Sequence, residues 1–505
     1  MLGRGGAAVA GIGGLGGAGV VGYVWPHGTA PASSPPARDG AAAEVEHYVT
    51  RADLRPPRLR VRRLAEAAAH QALAGGPRYV FLGNKAYTGP AVGQPGLIIA
   101  DRDGGIVWFQ PNASGQVANF NVQTYRGQQV LTWWEGKWVN GVPYGNAYIA
   151  DSSYRVIATV KAGNGLKADM HEFSLTDKGT ALITANRKRG ADLTAVGGAA
   201  KGAVLSGVVQ EIDVATGKVL FEWDSLDHVS VAETHQALKG GMVDGMFDYF
   251  HINSIAVAPD GDLLVSARNT WTVYKIDRTG GSVRWRLGGR KSDFDLGPGA
   301  TFYWQHHARP HGAGVLSLFD DGSSPPEESQ SRAILLDLDT TAMRATLRHA
   351  YTHPAGLLAD NQGSTQVLPD GRVFVGWGAE PYFTEYAQGG QVLRDGQLPV
   401  GDQSYRAFTA DWTGHPAGGP AVVVKPNPAR GSAVYVSWNG ATEVQTWQVH
   451  AGTHQSSLAV MGKQARAGFE TVISVNSTGP YFTVTALDAN GKTLGQSGIV
   501  RATGD

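Results

Sequence analysis

An all-β fold, a six-bladed β-propeller followed by a small β-sandwich, is what this sequence predicts, and three features predict it. The 505 residues include 69 Gly beside 13 Trp, 17 Tyr and 15 Phe, a balance that suits many short strands joined by tight turns. A hairpin phrase recurs along the chain: an alternating strand holding an Asp, a Gly-bearing turn, and a second strand ending in aromatics. Beyond residue 418 the texture shifts to brief alternating runs with Asn439-Gly440 and Asn490-Gly491 as hairpin turns.

Residues 1–36 are set apart by composition. One charge, Arg4, precedes an uncharged apolar stretch at 7–25, and a Pro/Ala/Ser segment follows at 26–36. This resembles an export signal, and it implies an extracytoplasmic protein, secreted or membrane-anchored. Seven glycines dilute the stretch and no clear small-x-small cleavage site precedes the linker, so an uncleaved anchor is a second reading and a flexible tail on a cytoplasmic protein a third. Residues 37–76 read as a linker with one short amphipathic helix, because Leu59, Val61, Leu64 and Ala68 recur at near-helical spacing after Pro56 and Pro57.

The repeats begin near residue 77. Asp101 with Gly104 and Trp108, Asp213 with Gly217 and Trp223, and Asp277 with Gly281 and Trp285 mark three clear copies of the hairpin phrase. Between them lies a second hairpin, with a polar start, an apolar strand, a Gly turn and another apolar strand. It begins at His171, Asn253, His306 and Ser364 and turns at Gly179, Gly261, Gly312 and Gly371. Two hairpins make a four-stranded unit, and six such units fill residues 77–418, with 405–412 read as a degraded last strand. Insertions at 188–201 and 226–250 fall on the side where the second hairpins begin, the position of a binding-site rim. Residues 419–505 form the sandwich, which resembles fibronectin type III and holds no evident chemistry.

Composition excludes several classes. Lys+Arg and Asp+Glu both number 43, and no basic run marks a nucleic-acid surface. Cysteine is absent, which removes disulfides, iron-sulfur clusters and a thiol nucleophile. The Asp-Gly pairs at Asp260-Gly261 and Asp370-Gly371 read as turn formers rather than calcium ligands.

Chemistry concentrates in three histidines, His171, His251 and His306, each at the start of a second hairpin. If the repeats are blades, those starts converge on one axis. Alternation of side chains along a strand lets only one of His306 and His307 face the channel while the other packs into the blade, and the pattern favours His306. Arg268 ends the strand after His251, where its planar fork suits a tetrahedral oxyanion. A cation beside the imidazoles argues against a metal site.

At these residues the sequence resembles the arylsulfotransferase family, over roughly 79–412. The stretches that carry the resemblance are Asp248-Tyr249-Phe250-His251-Ile252-Asn253-Ser254-Ile255, Val265-Ser266-Ala267-Arg268 and Trp304-Gln305-His306. The resemblance implies a six-bladed propeller and transfer of a sulfuryl group from an aryl sulfate donor to a phenolic acceptor, with neither nucleotide nor metal cofactor. It implies that His306 is transiently sulfated, that Arg268, His251 and His171 bear charge on the sulfuryl oxygens, that His251 or His171 handles the phenolic proton, and that Asn253 orients an imidazole or an oxyanion. The sandwich follows the propeller here, whereas well-known bacterial members carry their small β domain first, which points to a divergent actinobacterial or fungal-type branch. The doubled His306-His307 and the nearby His311 leave the nucleophile open by one position. The alternative function is a noncatalytic propeller that binds an anionic or sulfated ligand.

Overall fold

The computed structural model describes residues 44–64, 76–87, 89–312, 314–427 and 431–502, and within these the protein is all-β. The apolar stretch at 7–25 and the Pro-rich segment after it lie outside the described residues. No helix among the described residues is long and apolar enough to cross a membrane.

Antiparallel four-stranded meanders follow one another along the chain. The first whole one runs through Val117–Tyr125, Gln128–Val139, Val142–Ala150 and Val156–Val160, and the second through Ala168–Leu175, Thr180–Ala191, Gly202–Asp213 and Val219–Asp224. The third begins with Ile252–Val257 and Leu263–Ala267, the fourth with His306–His311 and Val315–Asp320, and the fifth with Ser364–Val367 and Val373–Gly376. A sixth is assembled from both ends of this region: Asp402–Ala410 pairs with Tyr79–Ala86, which continues into Gly96–Asp101 and Ile106–Pro111. The first strands of the six meanders touch in sequence and return to the beginning, so they form a closed ring around one axis.

The recurring Asp and Gly have local causes. Asp101, Asp213 and Asp277 each turn a carboxylate oxygen back onto backbone N–H groups two or three residues on, which closes the hairpin without a long loop. Gly261 and Gly371 adopt φ of +91° and +83°, a turn conformation that side chains resist. The phrase also joins neighbouring sheets, since Trp223 Nε1 donates to the Gly281 carbonyl of the next meander at 3.0 Å. Between those sheets pack Trp223, Phe250, Ile255, Val265 and Tyr274, and each such side chain gains about 1.5–3 kcal/mol by leaving water.

Two expectations are corrected here. Residues Arg60–Arg63 are not helical; they form a strand that pairs antiparallel with Val392–Gln397 as a fifth outer strand, and the rest of the expected helix lies outside the described residues. The edge of that sheet offers unpaired backbone groups, which a strand satisfies and a helix cannot. The region around 405–412 is likewise no degraded last strand: Asp402–Ala410 is a full nine-residue strand, buried almost throughout, and it lies on the ring.

The chain after 418 forms a three-stranded sheet, Ala421–Asn427, Gly431–Ser437 and Glu470–Asn476, facing a second sheet built on Thr446–Gly452 and Tyr481–Leu487. Asn439 Nδ2 and Oδ1 bond both backbone groups of Phe109, and the Tyr154 hydroxyl donates to the Gly440 carbonyl, so the Asn439-Gly440 turn docks on the sixth and first meanders.

Candidate active site

The ring brings His171, His251 and His306 together, since they sit at or near the heads of the first strands of three successive meanders. Their rings share an electrostatic neighbourhood: His171 and His251 meet edge to face with centroids 4.9 Å apart, and both charges bear on His306. Side-chain exposure falls from 21% for His251 through 11% for His171 to 2% for His306, so His251 lies nearest the mouth and His306 at the floor.

Each imidazole is tied by Nδ1 to its own carboxylate. His171 Nδ1 bonds Asp169, His251 Nδ1 bonds Asp248 at 2.5 Å, and His306 Nδ1 bonds Asp321 at 2.8 Å. Asp169 and Asp248 also accept the backbone N–H of the same histidine, which fixes each ring to its strand start. With Nδ1 engaged in this way, Nε2 is the ring nitrogen left for a ligand. At His306 the backbone N–H of Gln362 approaches Nε2 at 3.3 Å, so Nε2 carries the lone pair and Nδ1 the proton. Burial, reinforced by Arg268, pushes the His306 imidazolium well below its ordinary range and keeps the ring neutral. Burial pushes the Asp321 carboxyl up, and the Arg268 charge opposes that shift.

Arg268 lies within electrostatic reach of His306. It follows the strand Leu263–Ala267, its backbone N–H bonds the His251 carbonyl at 2.9 Å, and its guanidinium lies over the Trp304 ring at 4.6 Å. One terminal nitrogen reaches Asn269 Oδ1 and the other the Asp360 carbonyl, while Nε has no protein partner. Among the described residues, the buried polar atoms without a protein partner include Arg268 Nε, Asn253 Oδ1, Gln305 Oε1, Asp321 Oδ1, Gln362 Oε1 and Arg406 Nε. Such orphans are rare in folded proteins and mark a place where a polar ligand completes the set.

Among the non-glycine residues with left-handed backbone are His251 (φ 52°), Gln362 (φ 73°) and Trp304 (φ 58°) of this cluster, with Trp271 (φ 53°) edge-on against Trp304. Strain of this kind costs about 1–3 kcal/mol per residue and persists where the surroundings demand a particular aim of the side chain.

Asn253 is fully buried but touches no imidazole. Its Nδ2 donates to the Gln305 carbonyl at 2.6 Å, so it steadies the peptide that precedes His306. His307 departs from the expected alternation. The strand bulges between His306 and Arg309, and His307 itself is left-handed at φ 55°, so its side chain does not pack into the sheet as a regular register would require. It lines a second cavity of about 280 Å³ on the axis, with Glu172, Arg309, His311 and Phe408, and its Nδ1 accepts the Thr365 N–H. His311 joins that cavity too and bonds Ser317, leaving His306 alone on the chamber floor. Arg406 separates the two spaces, with one end on Glu172 and the other on the carbonyls of His171 and Asn253.

Sequence reasoning missed the three carboxylates, Gln362, Tyr405 and Arg406. Asp169 and Asp248 were within reach, two and three residues ahead of their histidines. The 226–250 insertion delivers Asp248 together with His235, which stacks on Trp271 with ring centroids 3.6 Å apart.

This constellation lies inside the stretch matched by a known family. The model of the arylsulfotransferase (ASST) family matches residues 121–397, more than half the chain, and that stretch holds His171, His251, Asn253, Arg268, His306 and Asp321. The chain belongs to the arylsulfotransferase family. No curated protein matches this arylsulfotransferase family member as a close relative. Among solved structures it is similar to a protein of unknown function from Bacteroides caccae, at 13% identity and a TM-score of 0.41, covering 66% of this chain and 98% of that one. A Lactobacillus plantarum protein matches at 12% identity and a TM-score of 0.36, covering 79% and 100%. Virginiamycin B lyase from Staphylococcus aureus matches at 9% identity and a TM-score of 0.32, covering 67% and 98%.

Proposed function

We propose that this protein transfers a sulfuryl group from an aryl sulfate to a phenolic acceptor, without a nucleotide donor, through a sulfo-histidine formed on His306. The observation that carries this reading is a neutral, buried His306 whose Nδ1–H is held by Asp321, whose Nε2 lone pair meets only the long Gln362 N–H contact, and which lies within electrostatic reach of Arg268 and two further carboxylate-anchored imidazoles.

In the first transfer Nε2 displaces the long contact from the Gln362 N–H and attacks sulfur. The Nε2–S bond forms, the S–O bond to the aryl group breaks, and its electron pair leaves with the phenolic oxygen. His306 becomes cationic, and the Asp321 carboxylate offsets that charge through the Nδ1–H. Arg268, with His171 and His251, holds the sulfuryl oxygens. Sulfuryl transfer, like phosphoryl transfer, passes through a loose transition state, so placement and charge supply most of the rate. The second transfer reverses these steps with the phenolate of a new acceptor. Asn253 positions the Gln305–His306 segment rather than touching the anion.

We read the six meanders as blades of one propeller over 77–418, supported by the closed ring of first strands, and 419–505 as a fibronectin type III-like sandwich, supported by the pairing of a three-stranded sheet with a five-stranded one. The sequence at 7–25 supports a location outside the cytoplasmic membrane, secreted or anchored. Recovery of the native protein in soluble cytosol with Met1 or Leu2 at its N-terminus would contradict that location.

Incubation with 4-nitrophenyl sulfate and a phenol tests the activity. Release of 4-nitrophenol dependent on acceptor is the expected result. No release across a broad panel of donors and acceptors, with no mass gain on any histidine, would leave the noncatalytic anion-binding alternative.

A further inference from the structure

Lys85 has no task in the mechanism above, yet the fold places it at the chamber wall. It is the penultimate residue of the strand Tyr79–Ala86 and is 4% exposed. The register sets Lys85 opposite Gln403, so Lys85, Gln403 and Tyr405 project from one face. Lys85 Nζ lies over the Tyr405 ring at 5.7 Å, and that ring meets the His171 imidazole edge-on at 5.7 Å while its hydroxyl donates to the His171 carbonyl. On the other side Gln403 Oε1 accepts from Gln362 Nε2 at 2.6 Å, and Gln362 is the residue whose N–H approaches His306 Nε2. Lys85 is thus linked to His171 through Tyr405 and to His306 through Gln403 and Gln362.

No carboxylate among the described residues pairs with its ammonium. The titratable groups on the surrounding elements are Tyr87, Asp360, Asp402, Tyr405, His171 and His306. Asp402 accepts the Val92 N–H, and Asp360 accepts the Tyr87 and Ser323 hydroxyls. A buried ammonium without a counter-ion costs several kcal/mol, and an anion arriving beside it removes that cost. Burial alone lowers Lys85 to about 8. An acid poised near the working pH is the kind that exchanges protons efficiently in a transition state. Lys85 and Tyr405 both fall outside the residues matched by the family model.

We propose that Lys85 meets the phenolic oxygen, protonating it as it leaves the donor and deprotonating the acceptor phenol in the return step. This rests on the sulfuryl-transfer reading above. In the first transfer the S–O bond breaks toward oxygen, Lys85 gives that oxygen a proton, and a neutral amine and a phenol result. In the second, the amine takes the proton of the acceptor phenol as its oxygen bonds sulfur and the bond to His306 Nε2 breaks, which restores the ammonium.

The test compares wild type, Lys85→Met and Lys85→Arg on two donors, 4-nitrophenyl sulfate with a good leaving group and phenyl sulfate with a poor one, with folding verified by near-ultraviolet circular dichroism. Lys85→Met is expected to lose about 10²–10⁴-fold in turnover on phenyl sulfate, the usual worth of general acid catalysis, and far less on 4-nitrophenyl sulfate, whose phenolate departs unaided. The wild-type alkaline limb near pH 8 should vanish in Lys85→Met and move upward in Lys85→Arg. Equal losses on both donors, or an unchanged alkaline limb, would assign Lys85 a purely structural or electrostatic part and overturn the proposal. A wild-type enzyme that releases neither phenol would instead bring down the sulfuryl-transfer reading itself, and this proposal with it.

Discussion

Asp321→Asn isolates the pairing on which nucleophilic attack depends. The Asp321 carboxylate is fully buried and bonds His306 Nδ1 at 2.8 Å, so no water replaces it when the charge is removed. A hydrogen bond to a charged group contributes about 1.5–3 kcal/mol, and its loss as His306 turns cationic corresponds to about 10–150-fold in rate. A second effect acts on the proton. The asparagine amide donates toward Nδ1, which forces the proton onto Nε2 and blocks the lone pair, and the wrong tautomer in a comparable histidine–carboxylate pair costs about 10⁴-fold. Turnover of Asp321→Asn is therefore expected to fall by about 10²–10⁴ with substrate affinity less affected. Initial rates of 4-nitrophenol release at saturating donor, alongside thermal melts, give both quantities. A folded variant within a few-fold of wild type would refute the claim that Asp321 sets the tautomer of His306.

Three further outcomes follow from the chamber. His306→Ala should abolish transfer in a folded protein, whereas His307→Ala should keep turnover but lose about 1–3 kcal/mol of stability, because the buried Thr365 N–H loses its acceptor; denaturant melts and rates separate the two, and loss of turnover only at His307 would reverse the assignment. Arg268→Lys should lower turnover by about 10²–10³ although charge is kept, since an ammonium cannot stack on Trp304, hold Asn269 and the Asp360 carbonyl and still present a donor; near wild-type turnover would contradict the clamp. Because burial and Arg268 hold the His306 imidazolium pKa below the ordinary value, the nucleophile stays neutral as pH falls through 6.5, and kcat should show no acid limb from His306 at that pH. A limb there that disappears in Asp321→Asn would show that His306 titrates normally.

Much of this was legible in the chain. Period-two alternation and Asp-anchored Gly turns carry the strands, and both are local, so the meanders can be read off in order. The three histidines stand out because they recur at matching points of the repeat, and Arg268 because it ends the strand after His251. Their carboxylate partners follow a different logic. Asp169 and Asp248 adjoin their histidines, but Asp321 lies 15 residues from His306 and reaches it only because Val315–Asp320 returns antiparallel to the same mouth. Asp402–Ala410 was undervalued because ring closure joins the two ends of the region, a pairing of residues more than 300 apart with no local signal. His307 was misplaced for a different reason, since the alternation rule holds only until a bulge and a left-handed residue break it.

The central claim, that His306 carries the sulfuryl group between donor and acceptor, is tested most directly by mixing the protein with excess 4-nitrophenyl sulfate in the absence of acceptor, quenching at alkaline pH, and mapping modified peptides by mass spectrometry. The account requires a mass gain of one sulfuryl group on His306, absent in His306→Ala and discharged when a phenol is added before the quench. A sulfuryl group found on His171, His251 or His307 instead, or steady turnover with no modified histidine at any time, would contradict it.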